Sequence, residues 1–197
     1  MKLRLSQGAA LFAFAALAFD ALAFPARAET PAYQKVLSAV TLDFTGAGAQ
    51  DRAVLVQNDN SGADLYLYLV KDDTKGDGDL ALAQTKAGIA FSGGMWGQLP
   101  SLETNGKGSL LVKSMNDSVG RDRWSQTLTI VYRDKQFLIG GISYTARDTL
   151  DPKAGGTCEL NLLTGKGLRN GKPVQGKPAP IRLADWSDDK LPKECSF

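Results

Sequence analysis

The sequence predicts a mainly β protein: an antiparallel meander, a sandwich or a propeller-like single domain with little helix. From about residue 35 onward, short apolar or alternating runs are separated by clusters of Gly, Asn and Asp, a pattern typical of strands joined by tight turns. Glycine is abundant, with 21 copies in 197 residues. Evidence for helix is confined to one short segment.

The first 28 residues are predicted to be a secretory signal peptide. A basic start precedes an apolar run at residues 8–19, and the small-x-small pattern of a cleavage site ends at Ala28. A membrane anchor would need about 20 apolar residues, and Asp20 interrupts this run too early. We therefore expect a periplasmic or secreted protein that is cleaved after Ala28, with a second candidate cleavage site after Ala23.

The charge balance of the chain limits its partners. The leader contains three of the 23 basic residues and one of the 21 acidic residues, so the remaining chain has no net charge. Binding to nucleic acid or to an anionic membrane surface requires an excess of basic residues. We therefore expect neither nucleic acid nor stable membrane insertion after removal of the leader, and the expected partner is an envelope protein or a glycan.

The clearest strand signals are, in chain order, residues 36–44, 52–57, 64–71, 109–113, 124–133, 136–145 and 158–163. Leu and Tyr alternate over residues 65–69, which indicates a strand covered on both faces. Residues 127–132, whose β-branched side chains have strand spacing, are expected to form a hairpin with residues 137–139 around a turn at residues 133–135.

Two segments depart from this simple strand pattern. Residues 77–87 fit one or two helical turns, with Asp77 or Asp79 as N-cap and Gly88 as the end, although their alternating leucines also fit a strand. After Leu163, closely spaced Gly and Pro predict an edge strand followed by an irregular arm. The expected organisation is a signal peptide at 1–28, a β-rich domain at 29–184 and a C-terminal tail at 185–197.

Cys158 and Cys195 are the only cysteines, and the leader directs them to an oxidising compartment. We predict a disulfide between them, closing a loop of about 38 residues and fastening the tail to the domain. A nucleophilic role for either cysteine lacks its usual base, because the chain contains no His.

A glycine-rich turn at residues 41–51 is followed by the apolar residues 53–56 and resembles the start of an FG-GAP or VCBS-type repeat. The match rests on Asp43, Gly46, Gly48 and Asp51. This resemblance implies a blade-like β unit whose loop carboxylates hold calcium. Thr45 and Ala47 replace two expected ligands, so any calcium would be held weakly. Alternatively, the two carboxylates hydrogen-bond their own turn.

Looser echoes of the same turn occur at residues 73–79 and 103–108. Together with the leader and the segments at 120–124 and 158–165, the degenerate repeat makes the chain similar to small exported proteins of Gram-negative bacteria. That resemblance implies a compartment and a β fold, and it implies no activity.

Catalytic motifs are scarce. The absence of His excludes Ser-His-Asp, Cys-His and His-metal sites, and the sequence has no P-loop or dinucleotide fingerprint. Asp148 and Asp151 are the nominal acid–base pair of a carboxylate-dependent hydrolase acting on envelope polysaccharide. The Asp-Pro step at residues 151–152 and the glycines that follow favour a turn. We therefore expect a non-catalytic binding or interaction protein of the cell envelope, with the hydrolase as the alternative.

The candidate binding residues are Arg121, Arg123 and Trp124. Arg and Trp are favoured at binding hot spots, and the two arginines bracket an aspartate just before a predicted strand. The alternative is an Asp-paired turn with Trp124 packed in the core. Trp96, surrounded by glycines, is a further aromatic candidate.

Overall fold

The computed structural model describes residues 35–58, 60–71, 78–93 and 98–197, and the predicted leader lies outside these ranges. Within them, twelve strands form two antiparallel sheets. The helical content of the same ranges is three single 3₁₀ turns, at Leu183–Asp185, Asp188–Lys190 and Lys193–Cys195. The prediction of a mainly β, antiparallel fold with little helix is confirmed. In the part of the chain described, no helix has the length and apolar character needed to cross a membrane.

The smaller sheet is a meander whose strands lie side by side in chain order. Its members are β1 (Val36–Leu42), β2 (Asp51–Gln57), β3 (Gly62–Val70) and β4 (Leu80–Phe91). Burial alternates along β2 and β3, so that Leu55 and Leu65 face the core while Val54 and Tyr66 are partly exposed on the opposite face.

Strand β4 occupies most of residues 77–87, where the sequence fits either one or two helical turns or a strand. Its backbone pairs with β3 from Leu80 opposite Val70 to Phe91 opposite Gly62. A helix of one or two turns is unstable in isolation, whereas the free edge of β3 offers partners along the whole segment. Gly88 does not end a helix. It has a φ of 59° and lies at an irregularity of the β3–β4 ladder.

The larger sheet continues the meander with seven strands in chain order. They are β5 (Ser101–Thr104), β6 (Leu110–Asn116), β7 (Asp122–Arg133), β8 (Gln136–Asp148), β9 (Gly155–Asn161), β10 (Lys166–Arg169) and β11 (Lys172–Gln175). The short strand β12 (Ile181–Arg182) pairs with β8. The region after Leu163 therefore contains a hairpin, β10–β11, in addition to irregular chain.

The predicted hairpin between β7 and β8 is confirmed. Asp134 and Lys135 form its two-residue turn, and both have positive φ angles, 50° and 59°, as a type I′ turn requires. The ladder contains one bulge: Thr129 faces Gly141 and Ile130 faces Ile139, so that Gly140 is an extra residue.

The bulge at Gly140 changes which β8 side chains face the core. Ile139 and Ile142 are both buried although they are three residues apart, because the extra residue reverses the alternation between them. Every odd-numbered residue of β8 after the bulge therefore points away from the core.

The two sheets enclose one hydrophobic core, to which Leu55 and Leu65 of the smaller sheet and Leu128 and Ile130 of the larger sheet contribute. The segment expected to be a tail also belongs to this core through Trp186, whose residue surface is only 2% exposed.

The predicted disulfide between Cys158 and Cys195 is confirmed, with the two Cα atoms 5.1 Å apart and a sequence separation of 37. Arg169 of β10 reinforces the same attachment. Its guanidinium donates to the carbonyl oxygens of Lys193 and Glu194, at 3.1 and 2.9 Å, and lies 4.7 Å from the ring centre of Phe197. Charge-assisted hydrogen bonds and a covalent link therefore hold the chain end against β9 and β10.

Candidate functional site

Trp124 and Arg123 point to opposite faces of the larger sheet, because successive side chains of β7 alternate between the two faces. Leu128 and Ile130 are buried, and Trp124 belongs to the same even-numbered set, so its side chain lies on the core-facing side. There it packs against Phe91 and Tyr144, with ring centres 6.0 and 6.4 Å apart. Trp124 therefore forms part of an aromatic row at the end of the core, while Arg123 points outward.

Arg121 lies just before β7 and has a partner on the neighbouring strand. Its Nε donates to the Oδ2 atom of Asp148 at 2.5 Å, and its side chain is 56% exposed. This ion pair ties the beginning of β7 to the end of β8. The structure thus distributes the three predicted binding residues over three different environments.

Arg123 lines a cleft of about 340 Å³ at the end of the larger sheet. The cleft is bounded by Met115, Asp117, Arg123, Trp124, Ser125, Thr145 and Arg147. We refer to it as the Arg123 cleft. It combines the loop after β6 with the first residues of β7 and the last residues of β8.

Two arginines lie side by side in the Arg123 cleft. Arg123 and Arg147 are direct partners in the β7–β8 ladder, an arrangement in which like charges repel. Arg147 forms an ion pair with Asp117. The Nη1 atom of Arg123 is buried without a hydrogen-bond partner, and no described residue forms an ion pair with this guanidinium. The cleft therefore contains one uncompensated positive charge.

A buried glutamine fixes the position of Asp117. Gln98 is only 1% exposed, and with its amide oriented so that Oε1 faces the loop, this oxygen accepts from the backbone N–H groups of Asp117 and Ser118 at 3.2 and 2.6 Å. Asp117 is thereby held on the Arg147 side of the cleft, which leaves Arg123 uncompensated. Trp96, the other aromatic candidate, lies outside the described residues.

The carboxylates of the glycine-rich turn accept hydrogen bonds from backbone N–H groups, both of the turn and of the end of β3. Asp43 accepts from the backbone N–H groups of Gly46 and Gly48, both at 2.8 Å. Asp51 is buried and accepts from the N–H groups of Phe44 and Val70, both at 3.0 Å. Among the described residues, no group of three or more acidic, His or Cys side chains is placed to hold a metal ion.

The turn at residues 106–108, one of the looser sequence echoes, packs directly against the Asp43 turn. A Cβ atom added to Gly108 would lie 2.7 Å from the carbonyl oxygen of Asp43, and Gly108 has a φ of 77°. Glycine is therefore required here both by the backbone conformation and by the close approach of the β1–β2 connection.

The Asp43 turn gives a prediction about pH. Burial raises the pKa of Asp43, but the hydrogen bonds from Gly48 and Gly46 outweigh it and hold the pKa below its ordinary value of 3.8. The Asp43 carboxylate is therefore protonated more readily in the unfolded chain than in the folded one. Its ionised form stabilises the folded state fully above pH 3.8, and this stabilisation is lost as the pH falls through the folded-state pKa. We expect Asp43→Asn to lower the free energy of unfolding by about 1 kcal/mol at neutral pH.

Urea unfolding of both proteins over a series of pH values checks this. The difference between them should shrink steadily as the pH is lowered below 3.8. A difference that is independent of pH would show that the carboxylate charge does not stabilise the turn.

Asp148 and Asp151 form a turn and have separate partners. Asp148 accepts from the N–H groups of Leu150 and Asp151, at 2.7 and 3.1 Å, and Asp151 accepts from the N–H of Lys153 at 3.0 Å. The hydrogen bond from Leu150, supported by those from Asp151 and Arg121, lowers the pKa of Asp148. A general acid in glycoside hydrolysis needs a raised pKa, so Asp148 is unsuited to that role.

No protein family, no curated protein and no solved structure matches this chain. Its architecture is that of a disulfide-linked antiparallel β protein with a cationic cleft at one end of its larger sheet.

Proposed function

We propose that this chain is an exported, non-catalytic binding protein of the bacterial cell envelope, and that it binds an acidic partner in the Arg123 cleft. The observation that carries the proposal is the guanidinium of Arg123, which lines the cleft opposite Arg147 with a buried Nη1 atom and no partner. An anion supplied from outside would compensate this charge and accept the unused hydrogen bonds.

The cost of the unpaired guanidinium supports a binding role. A buried donor without a partner costs about 1 to 3 kcal/mol, and the Nη1 atom of Arg123 is such a donor although the residue as a whole is partly exposed. A side chain of this kind reduces the stability of the free protein. Binding sites often contain groups that are compensated only when the ligand is present.

Export is supported by two features of different kinds. The N-terminal segment has the composition of a signal peptide, and the only two cysteines form a disulfide between Cys158 and Cys195. Both cysteines are buried, which suits a structural bond in an oxidising compartment. An envelope location would also expose the Arg123 cleft to acidic polymers.

Substitution of Arg123 by methionine tests the proposal. We expect Arg123→Met to leave the free energy of unfolding unchanged or to raise it by about 1 kcal/mol, because it removes an unpaired donor. We expect at least one acidic polymer, polyglutamate or polygalacturonate, to raise the melting temperature of the natural protein. The melting temperature of Arg123→Met should not change with either polymer.

Arg121→Met is the matched control, since Arg121 is exposed and paired with Asp148 at the same end of the sheet. This exposed ion pair is worth little, so we expect a small loss of stability and an unchanged response to the polymers. A large loss of stability in Arg123→Met, with no polymer effect on the natural protein, would show that Arg123 has a structural role and would refute the proposal.

A further inference from the structure

The outward face of the larger sheet carries rows of hydroxyl groups beside the Arg123 cleft. Ser125 of β7 lies opposite Thr145 of β8, and Thr145 lies opposite Thr157 of β9. In the next row, Thr127 lies opposite Ser143. The hydroxyls of these five side chains form no hydrogen bond with any residue that the structure describes, although most of them lie on exposed residues.

These rows begin at the arginine pair. Ser125 and Thr145 each lie two positions along their strands from Arg123 and Arg147, on the same side of the sheet. Neighbouring strands are about 4.8 Å apart, and residues two positions apart along a strand are separated by about 6.8 Å. A ligand whose anionic group pairs with Arg123 can therefore place adjacent polar groups against Ser125 and Thr145.

The chemistry of this face suits a sugar chain better than a polypeptide. Strands β7 and β8 have neighbours on both sides, so no free backbone edge is available here for pairing with an extended peptide. Protein partners usually insert aromatic or aliphatic anchors into apolar pockets. Among the described residues, the aromatic side chains at this end of the sheet, Trp124 and Tyr144, lie on the core-facing side of their strands and pack on each other. Hydroxyl groups both donate and accept hydrogen bonds, as sugar hydroxyls do.

We propose that the acidic partner is a glycan, a linear polysaccharide that carries sugar carboxylates. One carboxylate pairs with Arg123 between the two arginines, and the neighbouring sugar hydroxyls bond to Ser125 and Thr145. This inference rests on the proposed function, and it adds the class of ligand and two residues that distinguish this class. Because the contacts are polar and the sheet face is open, binding weakens as the salt concentration rises.

The experiment measures dissociation constants by calorimetry with three probes and four proteins. The probes are oligomers of polygalacturonate, the same oligomers with their carboxylates methyl-esterified, and polyglutamate of similar length. The proteins are the natural protein, Arg123→Met, Arg121→Met and the double variant Ser125→Val/Thr145→Val. Valine preserves the size and strand preference of Thr145 and removes its hydroxyl. At the exposed position 125 valine removes the serine hydroxyl and adds two methyl groups.

We expect the natural protein and Arg121→Met to bind polygalacturonate alike and to bind the esterified form at least tenfold more weakly. Arg123→Met should lose at least tenfold in affinity. The double valine variant should lose about three- to tenfold for polygalacturonate and nothing for polyglutamate, because hydroxyl contacts are specific to the sugar.

Equal binding of polygalacturonate by the natural protein and the double valine variant would overturn the glycan inference. Binding of polyglutamate as tight as that of polygalacturonate would also overturn the glycan inference. If the binding of polyglutamate still depended on Arg123, the proposed function of binding an acidic partner would stand. Failure of the natural protein to bind either acidic probe would count against both. Unchanged circular dichroism spectra of all variants exclude misfolding as the cause of a loss.

Discussion

Replacement of Trp186 by alanine is expected to lower the free energy of unfolding by about 3 to 5 kcal/mol, the usual cost of emptying a large buried site. Trp186 is 2% exposed and follows the 3₁₀ turn Leu183–Asp185, whose Leu183 is also fully buried. The core of the two sheets is therefore completed by a segment that follows the last strand. Urea unfolding monitored by far-ultraviolet circular dichroism measures the effect.

Phe197→Ala is the matched control, an aromatic residue of the same C-terminal segment that is 43% exposed. Its principal partner is Arg169, a cation–π contact worth about 1 kcal/mol or less at an exposed site. We expect its loss to be correspondingly small. Equal effects of the two substitutions would mean that the C-terminal segment is not part of the core.

Removal of the disulfide is expected to have an effect of similar size. The bond spans 37 positions, and closing a loop of this length restricts the unfolded chain by about 4 kcal/mol. We expect Cys158→Ala/Cys195→Ala to lower the free energy of unfolding by about this amount. The loss of two buried sulfur atoms adds to this effect, because both cysteines belong to the core.

The reduced natural protein provides the comparison for the disulfide. A reductant should bring the unfolding midpoint of the natural protein down toward that of the double alanine variant and should leave the variant unaffected. A midpoint of the natural protein that does not respond to complete reduction would contradict the stabilising role. The bonds from Arg169 to the carbonyls of Lys193 and Glu194 would then be sufficient to hold the chain end.

The sequence predicted the features of this fold that depend on neighbouring residues in the chain. Alternation identified β2, β3, β7 and β8, and the turn at residues 133–135 identified the hairpin of β7 and β8. The disulfide followed from the number of cysteines and the leader. Strand β4 was ambiguous, because the capping aspartates and Leu-Ala pattern of this segment suit a short helix as well as a strand. This segment forms a strand because it pairs with the free edge of β3, an interaction with a distant part of the chain that the local sequence does not show.

The Arg123 cleft could be predicted only in part. Arg123 was a candidate because it stands between an aspartate and a tryptophan, but Arg147 and Asp117 were not associated with it. With a regular ladder from the Asp134–Lys135 turn, Arg123 would face Ala146, and Arg147 would share the core-facing side with Ile139. The Gly140 bulge shifts the register by one residue and brings Arg147 outward, opposite Arg123.

A sequence signal for this shift exists. The pair Gly140-Gly141 interrupts an apolar strand, and the core residues Ile139 and Ile142 on either side are separated by an odd number of positions. This combination is typical of a bulge. The separation of Trp124 from Arg123 follows from alternation alone, once the beginning of β7 is known.

The most direct test of the central claim observes Arg123 itself. In proton–nitrogen correlation spectra of the natural protein, the Nε–H resonances of Arg121 and Arg123 can be assigned from the two methionine variants. On titration with an acidic polymer, either polygalacturonate or polyglutamate, we expect the Arg123 resonance to shift saturably while that of Arg121 stays in place. An Arg123 resonance that does not move with either polymer, or that moves only in parallel with that of Arg121, would contradict the assignment of the cleft as a binding site.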